Sequence, residues 1–561
     1  MAEFISSTSP KNVKPGKKIR WIDVKEGITG YLFILPALII IGLFGIFPIG
    51  FAAYVSMFQW RINPGNYTGL SNYTKALDNI AYVLGFWLVI LLVYLAVRNV
   101  KKIYSTSIDH NEHPWVWLVP GTITALGVIA LVRFLIILLP KVLDISTQVR
   151  GVEKTQALFI KLLGEAWRVP EVAVARNIAL VIFFTGVASA VLIGIYAYKS
   201  SRNIQYYISL VNTLIYIGVA ILLSWLTWTE IQVAYAAAKE SGEVLDIWSQ
   251  IITISGGFVL LLLSWLAWKS AGRRDSNMSM IFRIFAAVVL AIGAWVLIGE
   301  LPLAGLSGDK KWWEGLLVTV YYSIGTVPLQ LGVSLLLAVL LFQDIRGKGM
   351  FRLIYFLPYI TPTVAAAAVF RIFFAGRPTA PINSILEAFG MNSLGWLDEP
   401  KGIFQMIAGP SVELPSWAVG PSLALVVIII YNVWAYVGYD TVIFLAGLGN
   451  IPGELYEAAS IDGASKIAQF RHITVPLLSP TTYFLTLLAV IGTFKAFNHI
   501  WVLRSGAALG TTDTATVLIF TEFNRNTRYG YAAALSIVLL LVIVVLTIIN
   551  NKVAEKRVFY G

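Results

Sequence analysis

The sequence predicts an all-α protein that crosses a membrane about twelve times, with both termini on the cytoplasmic side. Three observations carry this. Of 561 residues, 58% are hydrophobic and only 13% are charged, whereas an ordinary soluble chain is about half apolar and a quarter charged. Apolar runs recur at about the 20-residue length a helix needs to cross hydrocarbon about 30 Å thick. Lys and Arg collect in alternate loops between those runs.

In chain order, the predicted spans are 31–58, 81–97, 115–139, 177–198, 205–228, 249–268, 284–300, 314–342, 353–373, 422–447, 480–503 and 530–550. Backbone groups cannot go unpaired in lipid, so each run must be a helix or part of a closed barrel. None shows the period-two alternation of a barrel, so helices are expected. With the N-terminus inside, the inner segments hold 23 Lys and Arg in 121 residues, and the outer segments hold 16 in 166. That roughly twofold density supports an even span count with both ends inside. Segment 140–176, with six basic residues, sits least comfortably outside. Arg133, Arg371 and Lys495 fall within spans. A charge near the bilayer centre costs about 2.5–3.5 kcal/mol on insertion scales. Arg371 is therefore expected to reach towards an outer end, and Arg133 to find a partner on a neighbouring helix.

Composition excludes several classes. The net charge of +12 and pI of about 9.5 sit in loops of a hydrophobic chain with mean hydropathy +0.76, which argues for basic cytoplasmic loops and against nucleic-acid binding. With no cysteine, disulfides, thiol catalysis and Cys-ligated zinc are excluded. Residues 1–30 lack an apolar stretch of the secretory type, so no cleavable signal peptide is expected. The four histidines are too scattered for a catalytic metal site, and His110 and His113 merely flank Glu112. No G-x-x-x-x-G-K-[ST] phosphate loop occurs. Pro15-Gly16-Lys17-Lys18 and Gly347-Lys348-Gly349 lack the spacing and the hydroxyl. No ATP site or metal cofactor is expected in this chain.

The loop 451–480, "IPGELYEAASIDGASKIAQFRHITVPLLSP", is the longest inner segment. Pro452 suits a first helical turn, and Glu454 and Glu457 lie three apart near the positive end of that helix. Ala458 and Ala459 let another surface come close. Asp462-Gly463 signals a turn, with Gly463 free to take positive φ. A second helix carries Ile467, Phe470 and Ile473 on one stripe, and Pro476 and Pro480 bracket the next span. Together these predict a helix–turn–helix on the cytoplasmic face.

This loop carries a resemblance. Glu457, Ala458, Ala459, Asp462, Gly463, Ala464, Phe470, Ile473 and Pro476 match, in one register, the EAA loop of permeases from binding-protein-dependent ABC importers. In that family the loop is a coupling helix that docks into the ATP-hydrolysing subunit. "YLFILPALIIIGLFGIFPIGFAAYVSMFQW" followed by Gly69-Leu70-Ser71-Asn72-Tyr73, "GKGMFRLIYFLPYITPTVAAAAVFR" and "FKAFNHIWVL" resemble spans of the sugar permeases, in particular the larger membrane subunit of maltose-type importers. The resemblance covers about 31–75 and 310–561. It implies a six-helix core made of the first span and the last five. Division of the chain then follows: a cytoplasmic tail at 1–30, a first core span at 31–58, a mostly hydrophobic insertion at 59–310 with about six spans, and the main core at 311–561.

Sugars are held by aromatic faces and by amide, hydroxyl and imidazole groups. Asn432, Tyr436 and Tyr439 fall at i, i+4, i+7, on one face of a helix. Lys495, Asn498 and His499 fall at i, i+3, i+4. By resemblance, Asn432, Tyr439 and His499 fall at or near sugar-contact positions, and Thr363 matches a small hydroxyl residue of the same site. The structural alternative is that these groups make interhelical hydrogen bonds.

The resemblance therefore implies a permease subunit in the cytoplasmic membrane of a prokaryote. It would work with a second permease, two copies of an ATPase that bind ATP and Mg, and an extracytoplasmic sugar-binding protein. An ABC permease for a non-sugar solute is the first alternative. A secondary transporter is another, for which Asp440 and Glu300 are the main intramembrane acids.

Overall fold

The computed structural model describes residues 21–557 except 63, 111, 150–152, 154, 197–202, 243–244, 246, 272–276, 299–307, 344–345, 410 and 416–417. The tail at 1–20, with Pro15-Gly16-Lys17-Lys18, and Glu300 lie outside the described residues.

The helices, in order, are α1 (Trp21–Ile41), α2 (Phe47–Val55), α3 (Ser71–Leu77), α4 (Asn79–His110), α5 (Leu118–Gln148), α6 (Gln156–Arg168), α7 (Pro170–Tyr196), α8 (Asn203–Ser241), α9 (Ile247–Ala271) and α10 (Asn277–Ile298). Then come α11 (Lys310–Phe342), α12 (Lys348–Ile360), α13 (Thr363–Phe373), α14 (Pro381–Ala388), α15 (Ile403–Ala408), α16 (Leu423–Gly449) and α17 (Gly453–Ile461). α18 (Lys466–Leu477), α19 (Ser479–Phe494), α20 (Asn498–Leu503), α21 (Ala515–Asn524) and α22 (Tyr529–Arg557) complete the chain. A π-helical turn, Gly42–Ile46, joins α1 to α2. Among the described residues the β pairing is limited to two isolated bridges, Phe58 with Tyr67 and Gly402 with Ser422. Ten helical stretches are long and apolar enough to cross a membrane, and two bent pairs bring the total to as many as twelve.

Two compact units result. One holds the chain up to Tyr54 and Asn79–Ile298, and the other Val55–Asp78 and the chain from Gly299 onward. In the first unit, α4 pairs with α8, α5 with α7, and α9 with α10. Glycines set the closest approach, as expected where apolar burial gives helices no drive to associate. A Cβ on Gly127 would lie 2.6 Å from the Phe183 backbone, and one on Gly186 2.6 Å from the Thr124 backbone. Polar ties among the described residues include Asn79 Nδ2 donating to Gln250 Oε1 at 2.8 Å, Trp87 Nε1 to Ser255 Oγ at 3.2 Å, Ser264 Oγ to the Ala287 carbonyl at 2.7 Å, and a hydrogen bond of 2.7 Å shared by the Thr124 and Tyr207 hydroxyls. No more than 28% of the most apolar window of any helix from α4 to α10 is buried. Such an outer surface would be untenable in water and belongs in lipid. Arg133 is exposed on α5 and lines a cavity with Pro170, Glu171 and Val174 of α7.

The second unit is built around α16. It has the lowest mean hydropathy of the ten straight spans, 1.6, yet two thirds of its apolar window is buried. Polar groups have been taken inside, where they can be paired. α11 lies along α16, and α12 crosses it at Gly438, where a Cβ would meet the Tyr355 carbonyl oxygen at 1.7 Å. Leu425, Ile428, Tyr431, Ile500 and Val517 form the apolar core beside Tyr322.

Two predicted spans are not straight crossings. Span 353–373 turns by 95° between α12 and α13. Pro362 has no amide hydrogen to donate and disfavours helix at Thr361, which takes φ −65°, ψ 136°. Span 480–503 stops at Phe494. Lys495 N still reaches the Ile491 and Gly492 carbonyls, Phe497 leaves helical geometry at φ −141°, ψ −58°, and α20 starts afresh. Lys495, Asn498 and His499 therefore do not share the helical face that their spacing suggested. Lys495 and Asn498 are exposed, while His499 is buried.

Candidate functional site

The first site is the elbow formed by α17 and α18. α17 ends where the Asp462 amide donates to the Ala458 carbonyl at 3.0 Å and the Ala464 amide to the Ala459 carbonyl at 2.8 Å. The chain reverses at Gly463, whose φ of +79° is the left-handed conformation that glycine adopts freely. Ser465 then caps α18, its Oγ accepting from the Ala468 amide at 3.3 Å. Gln469, almost fully buried, staples the two arms: its Nε2 donates to Ser460 Oγ at 2.8 Å and to the Ala464 carbonyl at 3.3 Å. The Tyr456 and Thr474 hydroxyls add a second tie of 2.9 Å. α18 contains a π-helical turn at Phe470–Thr474, a feature often found at functional positions.

The elbow is stiff inside and sticky outside. Ile461 is 87% exposed and Ile467 80%, flanking the turn as two apolar knobs. Glu457, Ala458, Asp462, Gly463, Phe470 and Pro476 are exposed, and Ala459 and Ala464 are half-buried. These eight residues, and the half-buried Ile473 with them, lie on one short, accessible helix–turn–helix.

The second site is a column of polar side chains between α11 and α16. Thr319, Tyr322, Thr326, Gln330 and Ser334 of α11 are all buried. Gln330 is central: its Nε2 donates to Asp440 Oδ2 at 2.6 Å, and its Oε1 accepts from Asn432 Nδ2 at 3.1 Å. Below it, Ser334 Oγ donates to the Val437 carbonyl at 3.1 Å and Thr441 Oγ1 to the Ser334 carbonyl at 3.3 Å. Above it, the Tyr322 hydroxyl and His499 Nε2 share a hydrogen bond of 2.8 Å, and the imidazole stacks on Tyr431 at 5.2 Å. The Tyr431 hydroxyl donates to the Thr363 carbonyl at 2.9 Å.

Of the residues predicted to contact sugar, Asn432 and His499 are thus engaged in interhelical hydrogen bonds. Tyr436 and Tyr439 gather instead around Tyr359 of α12: Tyr439 is stacked on it at 4.6 Å, and Tyr436 meets it edge-on at 5.7 Å. Tyr436, Tyr359 and Thr363 are exposed. Sequence reasoning missed Tyr359, Tyr322 and Gln330. A signal existed: Tyr322, Thr326, Gln330 and Ser334 repeat every four residues, one polar stripe on an otherwise apolar span. Among the described residues no group of three or more His, Asp or Glu could hold a metal ion.

Residues 300–559 match the family described as binding-protein-dependent transport system inner membrane component. The chain is 31% identical over 267 residues to the arabinooligosaccharides transport system permease protein AraP of Bacillus subtilis (strain 168), covering 46% of this chain and 78% of that protein. It is 30% identical over 266 residues to the trehalose/maltose transport system permease protein MalF of Thermococcus litoralis, covering 46% and 82%. A solved bacterial ABC transporter involved in the import of the acidic polysaccharide alginate aligns over 52% of this chain and 98% of its own, with 20% identity and a TM-score of 0.38. The matched region 300–559 contains both the elbow and the polar column, and leaves out α4–α10.

Proposed function

This chain belongs to the binding-protein-dependent transport system inner membrane components, and from that premise we propose that it forms part of the translocation path of an ATP-driven oligosaccharide importer in a prokaryotic cytoplasmic membrane. It is a multi-pass membrane permease. The proposal adds its partners: a second permease, two copies of a separate ATPase that bind ATP and Mg, and an extracytoplasmic sugar-binding protein. In this reading both termini and the elbow face the cytoplasm.

The observation that supports it best is the elbow. Glu457–Ala464 and Phe470–Pro476 form a compact lever stapled by Gln469, with Ile461 and Ile467 bare on either side of the turn. Bare isoleucines on a stiff joint suit a hydrophobic groove in a motor subunit. ATP binding would close the ATPase dimer and push the elbow. α16 and α19, which lead into and out of it, would move as rigid bodies between inward- and outward-facing arrangements. Asp440 is hydrogen-bonded to Gln330, which gives it a structural role and weakens the ion-coupled alternative. For the sugar, the exposed Tyr436, Thr363, Lys495 and Asn498 and the half-buried Tyr439 offer faces and donors, and Asn432 and His499 hold the helices that carry them.

Gly463→Val tests the lever. A β-branched residue at positive φ is strained by about 1–2 kcal/mol or more, and the turn would open. We expect the variant to insert normally, and ATP-driven uptake of labelled oligosaccharides by the assembled transporter to vanish. Full uptake by the variant, or uptake by the wild type without any ATPase subunit, would refute the mechanism.

A further inference from the structure

At the end of the second unit away from the elbow lies a cluster that the coupling mechanism does not use. α16 and α19 meet the elbow at Gly449 and Ser479. Their other ends lead to the loops around 396–422 and 495–514. There Arg371 of α13, Trp501 of α20, Arg504, Ser505, Gly506, Gly510, Asp513 and Arg525 line a cleft of about 440 Å³.

Its basic groups are held in place. The Arg504 guanidinium lies 3.8 Å from the centre of the Trp501 ring and Arg525 lies 5.3 Å from it, cation–π contacts that fix both planes. Trp501 is itself wedged against Phe497 and Phe520. Arg371 Nη1 donates to the Val502 carbonyl at 3.0 Å, which leaves its remaining donors for something else. The floor is stapled too: Ser505 bonds Asp398, and Thr511 Oγ1 donates to the Ala508 carbonyl at 2.8 Å. Two carboxylates answer the three arginines: Asp513, at 3.4 Å from Arg504, and Asp398 on the floor, taken up by Ser505. Burial raises the Asp513 carboxyl above its ordinary range, and Arg504 and Arg525 offset that only in part. Three positive charges against two, in a concave and preorganised setting, leave a net positive field that attracts anions, and guanidinium forks suit a carboxylate or phosphate bidentately.

We propose that this cleft binds an anionic group, a carboxylate or phosphate ester, carried by the transported saccharide, so that the substrate class is acidic rather than neutral sugar. The inference rests on the importer reading above. The cleft has room for a sugar unit, and it adjoins the polar column directly: Trp501 is two residues from His499, and Arg371 follows Phe370, which packs against Tyr431.

The test uses the whole complex, purified from its native membrane through a tag on this chain, as wild type and as the double variant Arg371→Gln/Arg525→Gln. Arg504 is kept because it pairs with Asp513. Equilibrium dialysis measures binding of labelled glucuronate, glucose and inorganic phosphate. Proteoliposome uptake compares acidic and neutral oligosaccharides of equal length. The expected result is that wild type binds glucuronate over glucose. In the double variant, glucuronate affinity and the KM for acidic oligosaccharides should worsen about tenfold or more, with neutral ones unchanged. Asp513→Asn should tighten glucuronate binding. The proposal is overturned if wild type shows no preference for the acid or if the variant weakens both sugars alike. It is also overturned if the substitutions change only retention of anionic lipid or docking of the sugar-binding protein. Failure of all ATP-driven uptake would sink the importer reading instead, while the dialysis result would still decide the anion site.

Discussion

Single residues set the closest tolerances in this molecule. Gly438 places the α12 backbone directly on α16, with the Tyr355 carbonyl where a side chain would otherwise begin. Overpacking typically costs 1–3 kcal/mol even when side chains can yield, and here a carbonyl must yield. We expect Gly438→Ala to lower the thermal unfolding midpoint of the detergent-solubilised protein by several degrees and to loosen the Tyr359–Tyr439 stack. An unchanged midpoint would contradict the close crossing. Gln330 shows the other residue-scale lesson. One amide satisfies Asp440 with its donor end and Asn432 with its acceptor end, so two intramembrane polar groups are paid for by a third. The sequence showed Asn432 and Asp440 eight residues apart on one span. That their shared partner is Gln330 depended on which face of α11 meets them.

At the scale of elements, the bends matter more than the lengths. The 95° turn between α12 and α13 was foreshadowed by Pro358 and Pro362, whose effect on backbone geometry is local. The break at Lys495–Phe497 was not, because "KAF" carries no proline or glycine. There Thr516 Oγ1 takes the Ala496 carbonyl at 2.6 Å and Thr493 Oγ1 donates to Ser323 Oγ at 2.8 Å. The first of these occupies a carbonyl that a continuing helix would have used. The elbow, by contrast, was legible almost residue by residue, since Pro452 and Asp462-Gly463 are local signals. Its stiffness was not legible. Gln469 reads as a polar residue on an exposed helix, and only the folded arms turn it into a staple. Losing its two hydrogen bonds costs about 1 kcal/mol each. We therefore expect Gln469→Ala to leave insertion and ATP hydrolysis largely intact while uptake per ATP hydrolysed falls several-fold, measured in proteoliposomes. Equal losses of hydrolysis and uptake would point to failed docking instead of a slack lever.

For the whole molecule, the arrangement of chain ends is decisive. Asp309 N donates to the Ala76 carbonyl at 3.3 Å, and the Tyr531 hydroxyl donates to Asp309 Oδ2 at 2.6 Å. Ala76, two residues before the second unit is interrupted, and Asp309, just ahead of α11, thus sit side by side on that unit. The six long helices between Asp78 and Gly299, with the short α6, are hydrogen-bonded and packed among themselves. A chain in which 79–307 is replaced by a short Gly/Ser linker removes an even number of spans and so returns to the same side of the membrane. We expect it to insert and to retain ATP-driven uptake, at lower yield. Complete loss of uptake with normal insertion would assign the deleted segment a direct part in transport.

The sequence by itself determined the solvent, the helical character of the spans and the turn at Asp462-Gly463. Hydrophobicity, backbone pairing in lipid and turn chemistry act over a few residues each, so they can be read one segment at a time. Tertiary structure alone decided which polar groups face each other, where span 480–503 breaks, and that three arginines distant in sequence share one cleft with a tryptophan. Those outcomes depend on the rotation and crossing of helices far apart in the chain, which no local pattern encodes.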